Sequence, residues 1–146
     1  MSATPPVEFN SMQFSGAVSD GVRRWLRLEG LAALAAAVLV YSRGGLSWLL
    51  FVILFLAPDL SFFGYISGPR VGATIYNIFH SYILPVALGT VMWVAGRSLA
   101  IPLIWAAHIG FDRFLGYGLK YPTGFGDTHL NKLGRRERSH RPLPSN

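Results

Sequence analysis

Four long apolar blocks constrain this chain more than any other feature, with approximate bounds at residues 26–41, 46–66, 71–95 and 99–119. Each approaches the roughly 20 apolar residues that a helix needs to cross a bilayer. A soluble helical bundle would instead carry a polar face on every helix. Charged residues make up only 14% of the chain, against roughly a quarter in ordinary soluble domains. The sequence therefore predicts an all-α protein built as a bundle of four transmembrane helices.

The chain divides into three parts around this membrane domain. Residues 1–24 predict a flexible polar arm, residues 25–130 the four-span domain with a Gly-rich turn at its end, and residues 131–146 a basic disordered tail. The N-terminal residues lack the pattern of a cleaved signal peptide, so we expect the first helix to direct insertion. The chain has no cysteine, which excludes disulfides and thiolate metal ligands.

The distribution of positive charge predicts the orientation in the membrane. Two basic residues, Arg43 and Arg97, lie in the turns on one side, and Arg113 lies inside the fourth block. The other side carries ten: Arg23, Arg24, Arg27, Arg70, Lys120, Lys132, Arg135, Arg136, Arg138 and Arg141. Because cytoplasmic loops are enriched in Lys and Arg, both termini are predicted to be cytoplasmic. Membrane lipids are the expected partners, and the net charge of +6 requires no nucleic acid to explain it. The sequence specifies no oligomeric state.

A few ionisable side chains interrupt the apolar blocks. Buried charge inside a membrane segment is expensive and usually marks function. Glu29 shares a helix face with several alanines, Asp59 follows Pro58, and His108 precedes Asp112 by one helical turn. The complete set of candidate ligands is Glu29, Asp59, His80, His108 and Asp112.

All five candidates fall at a similar depth. Counting residues from the predicted cytoplasmic ends, at about 1.5 Å per residue, places them roughly 5–17 Å inside that boundary. The outer half of each block carries essentially no ionisable group. We therefore expect one shared polar site that opens to the cytoplasm.

Imidazole and carboxylate are the donors that bind zinc, iron or manganese. In helical bundles, such metals are held by inward carboxylates and histidines one turn apart. A divalent metal would activate water for hydrolysis of a membrane substrate, with Asp59, His80, His108 and Asp112 as catalytic candidates. The chain has no diagnostic motif such as HExxH, so the metal and the hydrolytic activity are hypotheses.

Two other functions fit the same residues. In a non-enzymatic packing or membrane-complex assembly protein, Arg113 would pair with Asp59 or Glu29 and the histidines would fix the helices. A proton or small-solute pathway would need the polar line to continue outward, which the apolar outer halves disfavour.

Further polar residues surround the predicted site as a lid or second shell: Asn77, Arg113, Asp127 and His129. Asp127 and His129 belong to the turn after Pro122, where Gly124 and Gly126 permit a tight path. This turn predicts either a lid or second ligand set, or a simple turn with a capping aspartate.

Three segments carry a resemblance to a known family: APDLSFFGY at residues 57–65, YNIFHSYILP at 76–85 and WAAHIGFDRFLGYGLKYPTGFGDTHL at 105–130. They resemble a small bacterial membrane family, domain of unknown function 4260 (DUF4260), over roughly residues 27–130. The resemblance implies a four-helix protein of the bacterial inner membrane, and it assigns no activity. It also implies that Asp59, His80, His108 and Asp112 are the motif-bearing positions.

Overall fold

The computed structural model describes residues 18–122 and 128–130, and this part of the chain is all-helical. Its elements are α1 (Asp20–Arg43), α2 (Trp48–Phe55), a 3₁₀ helix (Ala57–Ser67), α3 (Pro69–Phe79), α4 (Ile83–Val94) and α5 (Ala100–Leu115). They form four helical segments, because α2 continues into the 3₁₀ helix and α3 continues into α4. The fold class predicted from the sequence is confirmed. Most of the arm, the tail and Asp127 lie outside the described residues.

Three of the four segments are long and apolar enough to cross a membrane: Asp20–Arg43, Trp48–Ser67 and Pro69–Val94. The fourth, α5, has 16 residues and is shorter than the predicted block 99–119. The first helix begins at Asp20.

Helix α5 is the central element of the bundle. It packs against α1, α2 and α4, while α3 packs against the 3₁₀ helix. Its buried residues lie on several faces of the helix, including Ile104, Ala107, His108 and Ile109. The helix that carries two of the predicted ligands is therefore enclosed by its neighbours, which explains how ionisable groups occur in so apolar a chain.

Two prolines interrupt the second and third segments one turn before their own positions. A proline ring clashes with the carbonyl group four residues earlier and supplies no N–H to it. Accordingly α2 ends at Phe55, ahead of Pro58, and the third segment breaks between Phe79 and Ile83, ahead of Pro85. The sequence predicted both kinks, and the breaks free the backbone beside Asp59 and His80 from regular α-helix.

The contact between α1 and α5 depends on two glycines that face each other. A Cβ atom on Gly30 would lie 2.8 Å from the carbonyl oxygen of Gly110, and one on Gly110 would lie 2.7 Å from the backbone nitrogen of Leu34. Small residues permit such close approach of helices in lipid. The buried residues of α1 are Gly30, Ala37 and Tyr41, and Glu29 is not among them. Glu29 is exposed on this helix.

We expect Gly30→Ala to loosen this contact, because the added methyl would also lie 2.5 Å from the Arg113 Cβ atom. Overpacking of this kind typically costs about 1–3 kcal/mol. Thermal unfolding in detergent should show a lower midpoint. Gly21→Ala is the matched control, since its methyl meets nothing within 4 Å and alanine favours the helix. An unchanged midpoint for Gly30→Ala would contradict the predicted contact.

Candidate metal centre

Four of the predicted side chains converge on one point inside the bundle. The His80 Nε2 atom lies 3.3 Å from His108 Nε2, 3.4 Å from Asp59 Oδ1 and 3.7 Å from Asp112 Oδ2. His108 Nε2 lies 3.5 Å from Asp59 Oδ1 and 3.8 Å from Asp112 Oδ2. One ligand atom from each of the four residues lies within 4.8 Å of all the others. Two imidazole nitrogens and two carboxylate oxygens therefore share a single small volume.

Each ligand occupies a position that the backbone dictates. His108 and Asp112 are one turn apart on α5, so they lie on the same face of that helix. Asp59 lies in the first turn of the 3₁₀ helix, directly after Pro58. His80 is the residue at which α3 ends, within the break before α4. Three chain segments thus contribute to the site, two of them at interruptions of regular helix.

The separations match the edges of a metal coordination shell. Ligand bonds of about 2.0–2.1 Å in a tetrahedral site place the donor atoms roughly 3.3–3.4 Å from one another. The five distances given above run from 3.3 to 3.8 Å. The sixth pair, the oxygens of Asp59 and Asp112, lies within 4.8 Å. The donor set also suits a divalent cation, because two carboxylates balance its charge and the imidazoles bind borderline metals.

His80 is oriented for coordination by its other ring nitrogen. Its Nδ1 atom lies 3.0 Å from the Tyr76 carbonyl oxygen, which can only accept a hydrogen bond. Nδ1 therefore carries the hydrogen, and Nε2 presents a lone pair to the cluster. Metal-binding histidines commonly donate the remaining N–H to a backbone carbonyl in this way.

Tyr76 supports the cluster through its ring and its hydroxyl group. The ring stacks on the His80 imidazole, with centroids 3.7 Å apart and planes inclined by 13°. The hydroxyl donates to Asp112 Oδ2 at 3.4 Å. Tyr76 thereby orients one imidazole and one carboxylate together. Sequence analysis did not identify this residue, although its position one turn before His80 was the available signal.

His108 is held mainly by packing. Its ring lies edge-on against Phe55, with centroids 5.4 Å apart, and edge-on against His80. Its Nδ1 atom is buried and has no hydrogen-bond partner within the described residues. The two histidines therefore differ, because a hydrogen bond fixes His80 whereas surrounding rings fix His108.

Burial of the four side chains is uneven. The side chains of His80 and His108 are 0% and 2% exposed, and that of Asp112 is 13% exposed. Asp59 is 32% exposed and is the most accessible of the four. A ligand from outside would therefore reach the site on its Asp59 side.

Arg113 makes different contacts from those predicted for a packing network. Its guanidinium donates to the carbonyl oxygens of His80, at 2.7 Å, and Tyr117, at 2.6 Å. Within the described residues, Arg113 forms no salt bridge with Asp59 or Glu29, and Asp59 pairs with His80 and His108 instead. Arg113 thus links the break at His80 to the end of α5. The carboxylates of Asp59 and Asp112 lie beside the two histidines instead.

Residues 116–122 and 128–130, which we call the covering segment, follow α5 and lie against this end of the bundle. Gly116, with φ +95°, ends the helix in the left-handed region that favours glycine. The Asn77 side chain then bonds the backbone of Lys120 twice, accepting from N–H at 2.7 Å and donating to the carbonyl at 2.9 Å. Lys120 places its ammonium 5.2 Å from the centroid of the Tyr76 ring. Asn77 therefore anchors the covering segment, and Lys120 of this segment contacts Tyr76.

Two basic groups in this covering segment have shifted pKa values. Burial lowers the pKa of Lys120, although the charge of Asp112 opposes the change. Burial also lowers the pKa of His129, and the positive charge of Arg113 lowers it further. The His129 Nδ1 atom accepts a hydrogen bond from the Leu119 N–H at 2.9 Å. A neutral His129 therefore carries its ring hydrogen on Nε2.

The structure thus gathers four of the five predicted ligands, and Glu29 lies outside the group. Asn77 contacts the covering segment, Arg113 contacts the backbone of a ligand, and His129 lies within the covering segment. Asp127 lies outside the described residues.

We expect Tyr76→Phe to weaken metal binding while preserving the ring stack on His80. Loss of a partner that orients a ligand typically lowers metal affinity about 10–100-fold. Competition with a chromophoric chelator would measure the change. Tyr117→Phe removes a hydroxyl from a 40% exposed tyrosine and should leave the affinity unchanged. Equal affinities for the two variants would contradict the role assigned to Tyr76.

Comparison with known proteins assigns the chain to a family. A family model described as a domain of unknown function (DUF4260) matches residues 23–133, which include all four converging residues. Searches of curated proteins and of solved structures found no match. Because the family model covers well over half of the chain, the protein belongs to the DUF4260 family.

Proposed function

We propose that this protein is a multi-pass membrane protein that binds one divalent metal ion through Asp59, His80, His108 and Asp112. The proposal rests on the convergence of two imidazole nitrogens and two carboxylate oxygens within 4.8 Å of one another. Zinc, iron and manganese are the metals that suit this donor set. Metal-assisted hydrolysis of a membrane substrate is the activity that follows, with Asp59 on the accessible side.

Hydrogen counting favours a cation over a network without metal. The ring hydrogen of neutral His80 is committed to the Tyr76 carbonyl oxygen, so only His108 offers an N–H to the cluster. The two carboxylates and His80 Nε2 would then compete for that one hydrogen and the Tyr76 hydroxyl. Protonating both histidines would instead bring two N–H donors head to head at 3.3 Å. A cation satisfies all four acceptors, whereas unsatisfied buried polar groups are costly.

An aromatic row beside the cluster argues against a proton or solute pathway. Neighbouring rings contact one another from Tyr41 through Phe51 and Phe55 to His108. This row extends toward the turn between α1 and α2 and offers no chain of titratable groups. Hydrolysis requires access from one side only, and partial exposure of Asp59 supplies it.

A metal in this position would polarise a substrate bond and lower the pKa of water. The chain's own residues would perform the positioning. His80 and His108 fix the imidazole pair, Tyr76 orients Asp112, and Asp59 forms the rim that a substrate meets first.

The charge distribution supports placing both termini in the cytoplasm of a bacterial cell, with the protein in the inner membrane. The start of α1, with Arg23 and Arg27, and the segment after α5, with Lys120, would then face the cytoplasm. On this placement the metal lies in the cytoplasmic half of the bilayer, and the turn near Ser98 faces outward.

Metal analysis of detergent-purified protein should find about one divalent ion per chain. His80→Ala combined with His108→Ala should abolish stoichiometric binding, because it removes both imidazole ligands. His129→Gln is the matched control, since it removes an imidazole that belongs to the covering segment. If the metal persists in the double variant, or if the native protein holds none, the proposal fails.

Hydrolysis requires a separate measurement. Native protein in vesicles of bacterial lipid should release products detectable by mass spectrometry, and Asp59→Asn should remove this release. Asp20→Asn, which neutralises a carboxylate that pairs with Arg23 outside the cluster, should retain it. Bound metal without any turnover would limit the function to metal binding. Lower folded yield without bound metal would identify a packing network.

The absence of native cysteine allows a direct test of orientation. We expect Ser98→Cys in intact cells to react with a membrane-impermeant maleimide, because its turn faces outward. Ser67→Cys should react only after permeabilisation. Both serines are exposed in the structure, so burial would not mask the result. The opposite labelling pattern would overturn the proposed orientation.

A further inference from the structure

A cavity is lined by Arg113, the residue after Asp112, and by none of the four proposed metal ligands. It has a volume of about 200 Å³ and is lined by Leu26, Glu29, Gly30, Tyr82, Arg113 and His129. Three of these residues were singled out from the sequence, and metal binding uses none of their side chains. We therefore consider which ligand would fit the residues that line this cavity.

Three residues that line this cavity carry hydrogen-bond donors: Tyr82, Arg113 and His129. Arg113 engages two carbonyl oxygens, while a guanidinium offers five N–H groups in total. The Tyr82 hydroxyl is buried and has no hydrogen-bond partner in the described part of the chain. His129 accepts through Nδ1, which leaves the hydrogen of its neutral ring on Nε2. Arginine, a phenol and an imidazole N–H together suit a phosphate group.

Glu29 differs from these three residues because its side chain accepts hydrogen bonds and carries negative charge. Glu29, whose side chain carries a carboxylate, also lines this cavity. A carboxylate repels phosphate and attracts a cation, so a simple anion would use only part of this lining. Donors for an anion beside an acceptor for a cation are complementary to a zwitterion.

We propose that this cavity binds the zwitterionic headgroup of a phosphatidylethanolamine-type lipid. Arg113, Tyr82 and His129 contact the phosphate, and Glu29 accepts hydrogen bonds from the primary ammonium. A quaternary ammonium has no hydrogen to donate and is recognised by cages of several aromatic rings. Among the described residues that line the cavity, Tyr82 is the one with a benzene ring, so they form no such cage. The chemistry therefore selects ethanolamine over choline.

Size and depth agree with a headgroup. A volume of 200 Å³ corresponds to about seven water molecules at roughly 30 Å³ each, comparable to the roughly eight non-hydrogen atoms of phosphoethanolamine. On the proposed membrane placement, Glu29 lies within three turns of the start of α1, and Arg113 lies in the last turn of α5. Arg27 nearby donates to the Phe114 carbonyl oxygen at 2.7 Å. The cavity thus opens where headgroups meet the hydrocarbon boundary.

The test compares lipids retained by the purified, metal-loaded protein in native mass spectrometry. The protein is extracted from nanodiscs that contain equal amounts of phosphatidylethanolamine and phosphatidylcholine. We expect one retained lipid with at least a tenfold preference for phosphatidylethanolamine, since hydrogen bonds to charged groups differ between the two headgroups. Glu29→Gln should abolish the preference. Tyr82→Phe should weaken retention of both lipids several-fold.

Matched controls separate this proposal from the metal centre. Asp20→Asn neutralises another carboxylate on α1, one that pairs with Arg23 at 3.0 Å outside the cavity, and should keep the preference. Glu29→Gln should keep its metal. Equal retention of the two lipids by the native protein, or a preference that survives Glu29→Gln, overturns the inference. Displacement of the lipid by an equal concentration of soluble glycerophosphoethanolamine would also overturn it, by assigning the cavity to a small molecule.

Discussion

Two carboxylates and two imidazoles lie within 4.8 Å of one another, and the surrounding structure must compensate the negative charge of the carboxylates. Removing an ionised group from water costs several kcal/mol even after the protein relaxes. The polar groups around the site are mostly directed elsewhere, since Arg113 donates to backbone carbonyls and Lys120 lies over the ring of Tyr76. A divalent cation at the centre would balance both carboxylates at once, which gives the arrangement a physical reason to exist.

The backbone assembles this cluster with little more than glycines and prolines. Gly30 and Gly110 let α1 approach α5 closely, so that α1 covers one side of this central helix. Pro58 and Pro85 interrupt the second and third segments, and the interruptions position Asp59 and His80 opposite His108 and Asp112 of α5. A chain composed largely of apolar residues therefore places its polar chemistry at defects in regular helix. Such defects are tolerated in membrane proteins where neighbouring groups satisfy the freed backbone.

Sequence alone predicted the helical architecture and four of the gathered residues, for separable reasons. Block length predicted the helices, and the shared depth of Asp59, His80, His108 and Asp112 predicted their meeting. Glu29 failed because depth does not determine the face of a helix, and Gly30 rather than Glu29 occupies the contact with α5. Tyr76 was missed because its stacking on His80 and its bond to Asp112 join parts of the chain that only coordinates bring together. The carbonyl contacts of Arg113 required coordinates, since backbone acceptors leave no mark in sequence patterns.

X-ray absorption spectroscopy at the metal edge of the purified protein tests the central claim most directly. The account predicts a first shell of nitrogen and oxygen near 2.0–2.1 Å, about the usual length for such bonds, with the multiple-scattering signature of two imidazoles. It also predicts that this signature changes when His80 or His108 is replaced. A metal surrounded by oxygen alone, or a spectrum that both replacements leave unchanged, would contradict it.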